Sequence, residues 1–223
     1  GKDSAYALHK VLQQEVYEVK YLLSTINGNY KKLSMHDVRE ELIEMQALHI
    51  GIPLIKVYLY EASNEAYEKQ MNEALIQLKS EGINTVLFGD IFLEDLREYR
   101  EQKMAAINMS CVFPIWKMDT QLLLRDFVFL GFKTYTCCVN DAYLDESWAG
   151  RLIDTKFIEQ LPANVDPCGE NGEYHSFCFD GPIYKTALPV KTGEKRYQPL
   201  TVKTSDNDTD RSTGFWFADI IIQ

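Results

Sequence analysis

Polar and apolar positions alternate with two periods along the first 140 residues. Residues 4–13 carry Ala5, Leu8 and Leu12 at helical spacing, and residues 17–26 are rich enough in β-branched and aromatic side chains to predict a strand. Val38, Leu42, Met45 and Leu48 return to the helical period until Gly51-Ile52-Pro53 stops it, and residues 54–60 then read as a strand. Ser63 is suited to cap a helix with Tyr67, Met71, Leu75 and Leu78 on one face, closed by Gly82. Residues 83–88 are a nearly unbroken apolar run, the pattern of a strand buried in a parallel sheet. A helix over 94–108 and a strand over 111–116 follow. A helix from Asp119 through Leu122, Leu123, Phe127 and Leu130 to Gly131, then a strand over 135–139, complete the series. Strands alternating with helices of these lengths predict an α/β fold with a doubly wound parallel sheet, whose C-terminal strand ends form the functional edge.

After about residue 140 the alternation gives way to turns at Pro162, Asp166-Pro167, Gly169, Gly172, Gly181-Pro182 and Gly193. Residues 174–179, 197–204 and 215–222 predict strands of a small mixed sheet, with the polar stretch 205–212 as an exposed loop. The expected organisation is an α/β domain over 1–140 and a smaller C-terminal α+β domain over 141–223.

Charge narrows the choice of function. The chain has 223 residues with 23 Lys plus Arg against 33 Asp plus Glu, a net charge of −10. That balance argues against a protein that grips nucleic acid through its phosphates. No stretch is apolar for long enough to span a bilayer, so no membrane partner is expected. Cys111, Cys137, Cys138, Cys168 and Cys178 contain no C-x-x-C pair, which fits reduced thiols in a cytoplasmic protein better than a zinc site or a disulfide framework.

Two segments carry candidate chemistry. Gly1-Lys2-Asp3-Ser4 opens a helix, where backbone N–H groups and the helix dipole favour an anion; Lys2 adds charge and Ser4 a hydroxyl. The same four residues also suit a capped surface helix. In Gly169–Ser176, two glycines bracket Glu170 and Asn171, and Glu173, Tyr174 and His175 follow. The carboxylates there suit a cation, either a cationic substrate, ammonium or Mg²⁺; a polar turn before a strand is the plainer reading. Gly89-Asp90 lies at a strand's C-terminal end, where nucleotides bind in open sheets. Arg97 and Glu101, one helical turn apart, either pair on the surface or turn the arginine towards phosphates. His36, near a helix start at the same edge, either hydrogen-bonds a ribose or phosphate or is structural.

Gly1-Lys2-Asp3-Ser4 resembles the tail of the S-G-G-K-D-S pyrophosphate loop of the N-type ATP pyrophosphatases, the PP-loop superfamily. Further segments narrow the resemblance to the diphthine–ammonia ligase family: Ser34-Met35-His36-Asp37-Val38-Arg39, Gly89-Asp90-Ile91, Arg97 with Glu101, Pro114-Ile115-Trp116, Trp148-Ala149-Gly150-Arg151, Gly169 through Ser176, and Gly181-Pro182-Ile183-Tyr184-Lys185. They occur in the family's order and cover nearly the whole chain.

The resemblance implies a Rossmann-like, adenine nucleotide alpha hydrolase-like fold, with the first strand lying before Gly1. It implies an amide ligase that cleaves ATP to AMP and pyrophosphate, adenylates a carboxylate and amidates it with ammonia. Under it, Gly1, Lys2, Asp3, Ser4, His36, Gly89 and Asp90 hold ATP, and Asp3 binds Mg²⁺. Lys2, Asp3, Arg97 and Glu173 act in catalysis, and Glu170, Asn171, Gly172, Glu173, Tyr174 and His175 bind the substrate. The partners implied are a carboxylate substrate, diphthine-like or small, and ammonium; a homodimer is compatible with this. Diphthine's quaternary ammonium would suit the carboxylates together with the rings of Tyr174 and Trp148. Leu93-Glu94-Asp95-Leu96 replaces the S-D-Y-Q of archaeal and eukaryotic members, so the chain looks more like the bacterial branch, which leaves the acyl substrate open. Two other readings compete with the ligase: a tRNA-modifying pyrophosphatase, which the acidic charge and the missing C-x-x-C oppose, and a non-catalytic ATP-binding module.

Overall fold

The computed structural model describes residues 1–33, 36–200 and 213–223. Helix α1 (Lys2–Gln14) starts the chain and buries Ala5, Tyr6, Ala7, Leu8 and Val11. Strand β1 (Leu22–Asn27) carries the short antiparallel β2 (Lys32–Leu33) on one edge, and its register with parallel β3 (Leu54–Leu59) runs from Leu22↔Leu54 to Asn27↔Leu59. Helix α2 (Glu40–Ile50) is the crossover between β1 and β3. Helix α3 (Asn64–Ser80) begins where the Ser63 hydroxyl accepts the Ala66 N–H, the cap expected there. Strands β4 (Thr85–Leu87) and β5 (Ser110–Val112) pair in parallel around the crossover helix α4 (Glu94–Ala106).

The parallel strands therefore form two small sheets. Strands β1 and β4 border a common cleft of about 1080 Å³, lined by Leu23, Thr25, Thr85 and Leu87 together with Leu8 of α1 and Leu75 of α3.

Helix α5 (Thr120–Phe129) is capped by the Asp119 carboxylate, which accepts the Leu122 N–H. Beyond it the topology departs from expectation. Strand β6 (Lys133–Asn140) does not extend a parallel sheet; it pairs antiparallel with β7 (Tyr174–Asp180) and β9 (Thr213–Ile222). With β8 (Val190–Leu200) these make a four-stranded antiparallel sheet in the order β7-β6-β9-β8. The reason is physical. Thr136 to Val139 are buried on both faces, and a doubly buried strand gives the same apolar run whichever way its neighbours point. Strand β8 starts seven residues before the strand expected from residue 197; residues 201–204 of that expectation and the loop expected over 205–212 lie outside the described residues. A short 3-10 helix, Glu146–Trp148, and α6 (Thr155–Gln160) connect β6 to β7.

The largest core joins the two kinds of sheet. Tyr6 of α1, Phe127 of α5 and Phe132 pack together, the two phenylalanine rings stacked at 4.4 Å, and the same cluster continues through Trp148, Phe157 and Tyr174. A second cluster sets Val38, Leu42 and Ile43 against Phe177 and Ile220. Each fully buried ring of this kind stabilises the fold by about 1.5–3 kcal/mol. This packing holds the first turn of α1 against the loop that leads into β7.

Candidate functional site

Gly1 is the N-cap of α1 and has no side chain to cap the helix with. The first turn instead meets the loop before β7. The Lys2 backbone N–H donates to Ser176 Oγ at 3.1 Å, and its ammonium donates to both Asp3 oxygens (2.7 and 2.8 Å) and to the Cys168 carbonyl. Lys2 is only 2% exposed, whereas Asp3 keeps 28% of its side-chain surface open. Burial works against the Lys2 charge, but the Asp3 carboxylate, with Glu170 behind it, outweighs burial and raises the pKa above the ordinary lysine value.

The C-terminal end of β4 packs onto this turn. A Cβ at Gly89 would lie 3.0 Å from backbone atoms of Asp3 and Ser4, so only glycine lets the two segments approach so closely. Asp90 follows and takes the Arg100 guanidinium on both oxygens (2.5 and 3.2 Å), while Arg100 lies 4.4 Å over the Phe88 ring. The Ile91 N–H then donates to Glu170 Oε1 at 2.8 Å, which ties the strand end to the C-terminal loop.

A cavity of about 210 Å³ lies between these segments. The structure brings Gly1, Lys2, Asp3, His36 and Asp90 from one side to Glu170, Gly172, Tyr174 and His175 on the other. Ser4 and Gly89 line the adjoining cleft. The rings of His36 and His175 lie 4.7 Å apart, although His36 sits in a turn four residues ahead of α2 and not at the helix start. Burial pulls His175 down to about 4, helped by Lys2, so its ring is neutral at pH 7. Burial pushes Glu170 up to about 7; Asp3 and Asp90 add to this, and the Ile91 amide and Lys2 oppose it. A carboxyl group that titrates near neutrality can both hold and release a proton there.

Other candidate residues lie elsewhere. Arg97 pairs with Glu101 at 2.7 Å and stacks over Phe113 (4.9 Å) and Trp116 (4.7 Å), lining neither cavity. Its neighbour one turn on, Arg100, lines the cleft instead. Sequence spacing does not separate the two arginines, since both lie on α4; the contacts of Arg100 with Asp90 and Phe88 do. Glu173 is 1% exposed and is consumed by its own loop: its carboxylate accepts the N–H of Asp166 (3.0 Å) and of Asn171 (2.9 Å) and the Asn171 side-chain amide (3.1 Å). Trp148 is buried beneath Arg151, whose guanidinium is 4.1 Å from its ring, so it offers no face to a quaternary ammonium.

The donor set fits Mg²⁺ in one way only. Among the described residues no group of three or more His, Cys, Asp or Glu side chains could hold a metal ion by itself. Asp3 is a single, partly open carboxylate, the kind of ligand that holds Mg²⁺ jointly with phosphate oxygens and water. Among the described residues, no helix is long and apolar enough to cross a membrane.

A 124-residue stretch is 25% identical to the diphthine–ammonia ligase of Mus musculus, covering 52% of this chain and 45% of the mouse protein. The diphthamide synthase N-terminal domain matches residues 1–108 and the diphthamide synthase C-terminal domain matches residues 119–204. One domain thus supplies the α1 turn and the β4 end, the other the loop that closes the cavity over them, and the chain belongs to the diphthamide synthase family.

Proposed function

We propose that the chain is an ATP-dependent, AMP-forming amide ligase of the diphthine–ammonia type. The observation that carries this reading is the meeting, around one cavity, of a lysine-bearing helix start, a strand end at Gly89-Asp90, and a loop presenting Glu170 and His175. The first is suited to anionic phosphates and the second to a nucleotide. The third is suited to an acyl substrate and an amine.

Under this reading the α1 amides and Lys2 hold the β- and γ-phosphates as the leaving pyrophosphate. The phosphates displace the Lys2 ammonium from part of its contact with Asp3. Mg²⁺, held by Asp3 with phosphate oxygens, would neutralise charge on that leaving group. His36 hydrogen-bonds the ribose or a phosphate in this reading, which its position in the cavity lining supports. The substrate carboxylate attacks the α-phosphorus, giving an acyl adenylate and pyrophosphate; ammonia then attacks the acyl carbon, and AMP leaves with the C–O electrons. Glu170 and neutral His175 border that second step, where the incoming ammonium must lose protons. Holding the reactants in line supplies most of the acceleration. A diphthine-like substrate would bring a quaternary ammonium towards Glu170.

The test supplies ATP, Mg²⁺, ¹⁵N-ammonium and a panel of carboxylates including diphthine. Equal amounts of AMP, pyrophosphate and ¹⁵N-amide are expected for at least one acid. ATP binding with no pyrophosphate from any acid would defeat the ligase reading.

A further inference from the structure

The loop between α6 and β7 satisfies its backbone with its own acids. Asp166 Oδ2 accepts the N–H groups of Cys168 and Glu170, both at 3.0 Å. Glu173, in turn, accepts the N–H of Asp166 and of Asn171. Backbone bonds from Gly169 to Asp166 and from Gly172 to Gly169 complete the coil, and the Tyr174 hydroxyl closes it onto the Pro167 carbonyl. Four N–H groups that a turn-rich loop would otherwise leave to water thus end on two carboxylates.

The arrangement has one outward product. The residue whose N–H Asp166 holds is Glu170, and Glu170 is the loop acid that leaves the coil, spans to the other side and accepts the Ile91 N–H at the end of β4. We propose that Asp166 is a positioning residue: with Glu173 it forms an internal frame that fixes Glu170 against the strand-end amide of Ile91, and neither Asp166 nor Glu173 touches the substrate. This rests on the ligase reading only for its catalytic consequence.

The first readout is independent of activity. Site-resolved amide hydrogen exchange at Ile91 reports the bond to Glu170 directly, with the amides of β6 as an internal reference for global stability. Glu170→Ala is expected to speed Ile91 exchange by about tenfold, the size of one hydrogen bond to a charged acceptor. Asp166→Ala should do the same, Asp166→Asn, which keeps an acceptor oxygen, should restore most of the protection, and the double variant Asp166→Ala/Glu170→Ala should be no faster than Glu170→Ala. Additive effects of the two alanines on Ile91, or an Asn variant as fast as Ala, would overturn the proposal. If Asp166→Ala does not fold, Glu173→Gln decides it: glutamine keeps one acceptor oxygen where Glu173 uses two, so Ile91 should exchange faster than in the wild type, and an unchanged Ile91 rate would overturn the proposal.

In the kinetic arm, Asp166→Ala should lower kcat for pyrophosphate release by about ten- to a hundredfold with the KM for ATP little changed, as expected when a reacting group is displaced slightly. In a Glu170→Gln background it should lower kcat no further. Wild-type protein that releases no pyrophosphate defeats the ligase reading and leaves the Ile91 exchange result to decide the positioning role.

Discussion

The first turn of α1 and the loop 166–176 border the same cavity but are built in opposite ways. The α1 turn gets its charge and its aligned amides from helix geometry, a local property of Gly1-Lys2-Asp3-Ser4. The loop has no regular backbone to orient it, and its carboxylates are divided between two tasks: Asp166 and Glu173 face inwards to hold the coil, and Glu170 faces outwards. An anion binder on one side and an acid presenter on the other meet through Lys2. Residue type alone does not say which acids are available to a ligand; the backbone amides around them decide.

The sharpest way to break this comparison is on the helical side. Lys2→Ala should reduce kcat/KM for ATP in pyrophosphate release by about a hundredfold or more, the scale of losing one charged contact to a developing anion. It also leaves Asp3 without the ammonium on both its oxygens. A Lys2→Ala protein with near-normal turnover would show that the α1 turn is a structural joint only.

On the loop side the expected effect is on stability. Gly169 has φ +68°, and a Cβ there would come within 2.8 Å of the Tyr174 carbonyl oxygen. Gly169→Ala should cost about 1–2 kcal/mol from the left-handed conformation alone, and more from the backbone contact, read as a lower urea midpoint with an unchanged m-value. An unaffected midpoint would mean that the coil is loose.

The third expected effect is a pH dependence that separates the two sides. Burial raises Glu170 from the ordinary glutamate value to about 7, so between about pH 4.5 and 7 the folded state holds a proton that the unfolded state has lost. Glu170 therefore subtracts stability as pH rises through that window, and subtracts nothing further above it. Thermal melts of Glu170→Gln and wild type should converge near pH 4.5, with the variant gaining steadily towards pH 7. A constant offset across the window would place the Glu170 carboxyl in an ordinary, solvated setting.

Much of the fold was legible because local periodicity carries it. The two βαβ units, the Ser63 and Asp119 caps and the helix at Lys2 all follow from spacings within a dozen residues. Pairing between distant strands is not written that way. The apolar run of β6 is compatible with either sheet, and only its bonds to β7 and β9 show which one it joins. The site divides along the same line. Lys2, Asp3, Asp90, Glu170 and His175 were recognisable as chemistry-bearing residues, and they do converge. Arg100 and Asp166 were not, because each matters through a partner that chain order does not reveal: a carboxylate ten residues back for Arg100, and the amide of Glu170 for Asp166.

The contacts that finish the site join residues very far apart in the chain: Lys2 reaches Cys168 across 166 positions and Ser176 across 174. Closing loops of that length carries an entropic cost that is repaid only once the intervening elements are in place. Helices and the hairpin β8–β9 can form early in refolding, but the cavity exists only after the last docking event. Recovery of the Ile91–Glu170 bond should therefore lag behind the return of helical signal, and a pulse of nucleotide given during the lag should meet a chain with its secondary structure formed and no place to bind.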